Sequence, residues 1–143
     1  MTASEPRIHA PRPVRGNSSA SSRHDMRRRI FTHTHRLRLE RAADHYLRDC
    51  YRRVTAARAS ELATTLGVTA PYLSRIAPDI LGMPLRDFLR QKQIEYSVQL
   101  LKTTPLTSKE IALRCGFGTV STFHRWFRSA FDTTPGAFRK VMK

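Results

Sequence analysis

Acidic residues are scarce in this chain. Its 143 residues carry 11 Asp and Glu against 26 Lys and Arg, a formal net charge of +15. An excess of that size calls for a polyanionic partner, above all nucleic acid. Lysine is scarce too: 21 of the bases are Arg and 5 are Lys. The planar guanidinium fork matches phosphate oxygens and the guanine edge, so the bias favours nucleic acid over a generic basic surface. Two cysteines are too few for a disulfide framework or a four-Cys zinc site. Cys50 and Cys115 both fall in helical patterns and read as buried thiols. No apolar run approaches the roughly 20 residues that cross a bilayer. Arg28-Arg29-Ile30-Phe31 has the outline of a twin-arginine export signal, but Thr32-His33-Thr34-His35-Arg36 follows where an apolar stretch is required. Export is therefore not expected, and the cytoplasm is the expected compartment. A Gly-rich phosphate loop, a Ser/His/Asp triad and a paired-carboxylate spacing are all missing, and His33 and His35 stand apart from other ligand types. Neither an enzyme, a cofactor nor a metal is expected.

Residues 1–35 hold Pro6, Pro11, Pro13, Gly16 and a Ser-rich run from Ser18 to Ser22, with few large apolar side chains. Such a segment cannot offset the entropy of ordering itself and reads as a disordered basic tail. About +6 of the +15 lies in the first 36 residues. The Arg27-Arg28-Arg29 run there offers non-specific contact with phosphates. From residue 36 to 143 the pattern is helical. Leu37, Ala43, Leu47, Cys50, Tyr51 and Val54 recur at helical spacing with charged residues between them. No stretch shows sustained period-2 alternation. Gly67, Gly82-Met83-Pro84, Pro105, Gly116, Gly118 and Pro135-Gly136 punctuate the chain into about seven short helices, an all-α fold.

The chain also repeats itself. Glu61-Leu62-Ala63-x-x-x-Gly67-Val68 returns as Glu110-Ile111-Ala112-x-x-x-Gly116-Phe117, and Leu73-Ser74-Arg75 aligns with Phe123-His124-Arg125 about 50 residues on. Each copy reads as a helix-turn-helix, one over 59–82 and the other over 107–132. Ala63 and Ala112 are small where two helices must cross. Gly67 and Gly116 can take the positive φ of a tight interhelical turn. Leu62, Leu66, Leu73 and Ile76 are expected in the first core; Ile111, Cys115, Phe123 and Phe127 in the second. Ser60 and Thr69 are the expected caps in copy one, and Thr107-Ser108-Lys109-Glu110 a capping box in copy two. Between the copies, 84–103 reads as a linker helix of about 30 Å, close to one turn of B-DNA, about 34 Å. One chain could then hold two recognition helices in successive major grooves.

These residues resemble the DNA-binding module of the AraC/XylS family of bacterial transcription regulators. The resemblance covers about 40–140 and is strongest at Glu110-Ile111-Ala112-x-x-x-Gly116-Phe117, Phe123-x-Arg125-x-Phe127 and Thr134-Pro135-x-x-Phe138-Arg139. It implies two homeodomain-like helix-turn-helix subdomains joined by the linker helix, with the third and sixth helices entering the major groove. Carried over by position, Arg75 and Arg125 are the expected base readers, with Ser74, Ser121, Thr122 and His124 beside them. Thr69, Tyr72 and Thr119 are expected at phosphates, and Trp126 in helix packing. Three residues depart from the pattern. Pro78 should break or restart the first recognition helix near Ala77, since interior proline costs about 3 kcal/mol. Gln93 stands where an Arg is common, so a phosphate or structural contact would be missing. Asp132 replaces a frequent Gly.

With only a basic tail before the module, the chain resembles the short single-module activators. That implies a monomer bound to an asymmetric promoter-proximal site, with double-stranded DNA as partner and RNA polymerase as a second contact. The alternatives are a truncated member acting as a repressor or interfering binder, and a non-specific architectural DNA-binding protein.

Overall fold

In chain order the helices are α1 (Ser22–Arg53), α2 (Ala59–Leu66), α3 (Ala70–Leu81), α4 (Leu85–Thr103), α5 (Ser108–Arg114), α6 (Val120–Phe131) and α7 (Pro135–Val141). The computed structural model describes residues 22–142, with side chains from residue 34 onward. Among the described residues there is no strand, and the fold is all-α. The expected boundary between tail and body, at 35/36, falls inside α1. From Ser22 to Leu37 the chain holds no Gly or Pro and continues the helix that the core anchors further on. The rest of the tail, residues 1–21, lies outside the described residues, as do the side chains of Arg27, Arg28, Arg29 and His33.

Two apolar cores divide the body. The first gathers Leu39, Ala43, Tyr46, Leu47 and Cys50 of α1, Leu62 and Ala63 of α2, Leu73, Ala77 and Leu81 of α3, and Leu85, Phe88 and Leu89 of α4. The second gathers Ile94 and Leu101 of α4, Ile111 and Ala112 of α5, Cys115, Phe117, and Phe123 and Phe127 of α6. Helix α4 therefore serves one core with its first half and the other with its second. The Phe117, Phe123, Phe127, Phe131 and Phe138 rings run in sequence through the second lobe, neighbouring centroids 4.8–5.6 Å apart. Arg139 ties α7 to the end of α4: its Nε donates to Leu101 O (3.2 Å) and its Nη2 to Thr104 O (3.1 Å). Both carbonyls lie at a helix end, where cationic donors are favoured. Cys50 and Cys115 are both buried. Burial pushes the Cys115 thiol up to about 12, which makes it a packing group rather than a nucleophile.

Several local expectations need correction. Leu37, Val54 and Leu66 are exposed (41%, 50% and 38%) rather than in the core. Helix α1 ends at Arg53, and Val54 takes φ 57°, turning the chain out of the stripe that its spacing suggested. Ser60 does not cap α2; the cap position is Arg58, whose side chain makes no capping bond. The Tyr46 hydroxyl of α1 satisfies the N–H of that cap residue. It accepts from Arg58 N–H (2.8 Å) and donates to Glu61 (3.2 Å), inserting itself into what would otherwise be a local capping box. Burial, first of all, raises the Tyr46 phenol well above its ordinary range, so it stays a donor. In copy two, Thr107 Oγ1 accepts from Glu110 N–H (3.2 Å), while its hydroxyl donates to the Glu110 carboxylate (3.0 Å).

Pro78 does not break α3. The helix runs continuously from Ala70 to Leu81. Ala77 and Leu81, both buried, pin it on either side of the ring. The carbonyl of Ser74, which loses its helical donor, belongs to an exposed residue where water can replace the missing bond. Gln93 is no gap either. It is fully buried, donates to Cys115 O (2.7 Å) and accepts from Arg90 (3.2 Å). Beside it Ala57 N–H donates to Gly116 O (2.9 Å). A Cβ on Gly116 would stand 3.1 Å from Gln93 Nε2 and 3.3 Å from two backbone atoms, so this turn needs glycine for space as well as for φ. Gly67, in the equivalent turn, has open space around it and needs only the positive φ. The seam between the lobes is thus built on α4, the α1–α2 loop and the second turn. Asp132 takes φ 57° at the end of α6, a conformation that Asp tolerates better than most residues.

Candidate nucleic-acid interface

Each lobe turns one face of its second helix to solvent. In α3 the buried residues are Leu73, Ala77 and Leu81, leaving Ser74, Arg75 and Asp79 exposed. In α6 the buried residues are Phe123 and Phe127, leaving Ser121, Arg125, Arg128 and Ser129 exposed. Burial at i and i+4 forces the opposite stripe outward. Arg75 and Arg125 thus occupy matching outward positions. Among the described residues neither has a carboxylate partner; the ion pairs are Arg36–Glu40, Arg52 and Arg53 with Asp49, and Arg86–Asp87. Arg75 lies over the exposed Tyr72 ring, 5.5 Å from its centroid. That contact holds the guanidinium without consuming its donors.

The neighbours expected beside the readers separate. Ser74 and Ser121 are exposed, whereas Thr122 and His124 are half-buried. Nε2 of His124 is buried without a hydrogen-bond partner, and the ring lies 6.0 Å from that of Phe123. Thr69 and Thr119 cap the two recognition helices, accepting from Tyr72 N–H (3.3 Å) and Thr122 N–H (3.1 Å). Thr119 also donates its hydroxyl proton to Thr122 (2.9 Å), which leaves the Thr122 hydroxyl as the outward donor of that pair. Trp126 packs half-buried against the second core, as its position implied.

Three charged residues at this face went unnoticed in the sequence. Arg128 shares the stripe of Arg125, and the i, i+4, i+7 spacing of Ser121, Arg125 and Arg128 was the available signal. Its counterpart in α3 is Pro78, and the next position pairs Ser129 with Asp79. The second lobe therefore presents two arginines where the first presents one arginine, a proline and a carboxylate. Arg90, half-buried against the Phe117 ring (5.4 Å), is the third.

Two helix-turn-helix units, each exposing one stripe of its second helix and joined by a 19-residue helix, define a bipartite DNA-binding module. A family model described as "helix-turn-helix domain" matches residues 62–141. The chain belongs to the AraC/XylS family of helix-turn-helix regulators. It is 33% identical over 84 residues to the uncharacterized HTH-type transcriptional regulator YfiF of Bacillus subtilis, covering 59% of this chain and 26% of that protein. It is 32% identical over 78 residues to the regulatory protein SoxS of Escherichia coli, covering 54% of this chain and 73% of SoxS. The chain thus spans about a quarter of the Bacillus relative and most of the Escherichia one. Among solved structures it resembles the C-terminal domain of the response regulator yesN from Fusobacterium nucleatum, with TM-score 0.62, 30% identity, 70% of this chain and 96% of that one covered. The fold is also that of the DNA-binding domain of the global transcriptional factor AdpA, solved with a target DNA (TM-score 0.63, 20% identity, 72% and 90% covered). Among the described residues no helix is long and apolar enough to cross a membrane.

Proposed function

We propose that this chain binds double-stranded DNA sequence-specifically as a monomer, with α3 and α6 in successive major grooves of one face, and acts as a transcriptional activator. The observation that carries the reading is the pair Arg75 and Arg125: unpaired, outward, and at matching positions of two lobes joined through α4. Arg is bidentate to guanine O6 and N7, and one good pair discriminates by about 1–3 kcal/mol. Ser74, Ser121, Thr122 and His124 stand beside them as secondary base contacts. Tyr72 and Thr69 would offer hydroxyl protons to backbone phosphates that set register, and Thr119 would join them by giving up its bond to Thr122. A helix of 19 residues is about 28 Å long, near one helical turn of DNA, so a single chain can occupy both grooves. RNA polymerase is the proposed second partner.

In vitro selection from random duplexes tests the reading. It should return a two-part asymmetric site, with the parts about one helical turn apart, bound by one chain per duplex. Recovery of no preferred sequence at fixed salt would leave an architectural binder instead. A reporter carrying that site beside a promoter then separates activation from repression by the sign of its response.

A further inference from the structure

Two arginines of α4 stand in the strip between the recognition helices. α4 begins at Leu85, a few residues after α3 ends at Leu81. The Arg86 guanidinium lies 5.8 Å from the ring centroid of Trp126 on α6. One turn on, Arg90 lies 5.4 Å over Phe117, just before α6, and donates to Gln93 Oε1 (3.2 Å). Both therefore face the second lobe from a helix that starts at the end of α3. Arg125 adds a third cation close enough to oppose the charge on Arg90, which burial already disfavours. Asp87 lies 4.0 Å from Arg86 Nε, at the limit of an ion pair. The Arg86 side chain is 76% exposed. Three cations facing so little counter-charge repel one another until an anion docks. A duplex read in two successive major grooves presents the intervening backbone to this strip.

We propose that Arg86, held by the Trp126 face and backed by Arg90, clamps a backbone phosphate in the spacer between the two half-sites. The proposal rests on the DNA-binding reading above and adds a contact that neither recognition helix supplies. The exposed fork can take a phosphate bidentately, while Arg90, half-buried and already bonded to Gln93, supplies field more than contact. A clamp on the spacer would hold register without reading bases, and would make affinity depend on how readily the spacer backbone approaches α4.

The test uses the full chain and its Arg86→Gln variant, on the selected duplex and on a random one, across a salt series. The clamp predicts a loss of about three- to tenfold in affinity and a salt slope shallower by about one, on both duplexes. Arg86→Lys should keep the slope and lose part of the affinity. Replacing spacer phosphates singly with neutral methylphosphonates should weaken the wild type at one position and leave Arg86→Gln unaffected there. Losses that multiply in full, or an unchanged slope, would overturn the clamp. A variant that instead changes the preferred spacer sequence, with no methylphosphonate effect, would mean minor-groove insertion and also overturn it. If selection finds no site while the slope difference persists, the base-reading proposal fails, and Arg86 keeps a phosphate contact on any duplex without the spacer register, which overturns the clamp as a spacer contact. Matching thermal midpoints for wild type and variant confirm that the fold is not what changed.

Discussion

At the scale of single residues, the second lobe exposes more cationic charge on its second helix than the first does. Arg125 and Arg128 lie on one exposed stripe with no carboxylate beside them, while Arg75 leans on Tyr72. Arg125→Ala should cost about 1–3 kcal/mol and relax preference at one base pair. Repeating the selection with that variant checks it: an unchanged sequence preference would remove Arg125 from the base readers. Val54 makes a different kind of prediction. It is β-branched, half exposed and at φ 57°, a region that costs L-residues about 1–2 kcal/mol. Val54→Gly should therefore stabilise the fold by about 0.5 kcal/mol net of glycine's added chain entropy, raising the melting midpoint by about two degrees. A lower midpoint would show that the Val54 side chain contributes more than the strain removes.

At the scale of the helix, α3 and α6 are unequal copies of one design. The buried pairs Leu73/Ala77 and Phe123/Phe127 hold both in the same pose, yet α3 ends in Pro78 and Asp79 where α6 has Arg128 and Ser129. In the proposed complex, the exposed Asp79 carboxylate one turn below Arg75 would face the same polyanion and oppose its approach. Asp79→Asn should tighten binding several-fold at low salt, with the gain fading as salt rises. Weaker binding together with lost preference for cytosine would instead make Asp79 a reader of the cytosine N4 donor. Much of this level was open to inspection in the sequence, because it is carried by local pattern. The repeat, the glycine turns and the threonine caps all lie within a few residues of what they act on. What escaped notice was joined across distance. Tyr46 reaches the N–H at the start of α2 from 12 residues away in the chain, Gln93 reaches Cys115 O over 22, and Arg139 reaches Leu101 O over 38. Nothing in the spacing of Ser60 or Leu66 shows that a tyrosine from α1 will bridge Arg58 N–H and Glu61 at the start of the helix or that its last turn stays exposed. Pro78 erred in the other direction: the local rule was right about the lost bond, but packing on both sides outweighs it.

At the scale of the whole molecule, the question is whether the two lobes move as one. Two hydrogen bonds meet at the seam, Gln93 Nε2 to Cys115 O and Ala57 N–H to Gly116 O, in the space that Gly116 leaves for both. Each spans elements of different origin, so shifting one lobe against the other would strand a buried amide. Leaving such a group unpaired costs about 1–3 kcal/mol, enough to disfavour any hinge there. A rigid pair of readers is exacting about DNA geometry, because each added base pair rotates the second half-site by about a tenth of a turn. Adding one base pair to the spacer should thus weaken binding by at least tenfold. Adding five, which places the second half-site on the far side of the duplex, should leave only the affinity of a single lobe. Gln93→Ala should flatten that dependence, lowering affinity for the native spacing while losing less with the altered one. Equal losses for wild type and Gln93→Ala at every spacing would show that α4 alone sets the distance and that the seam has no part in it.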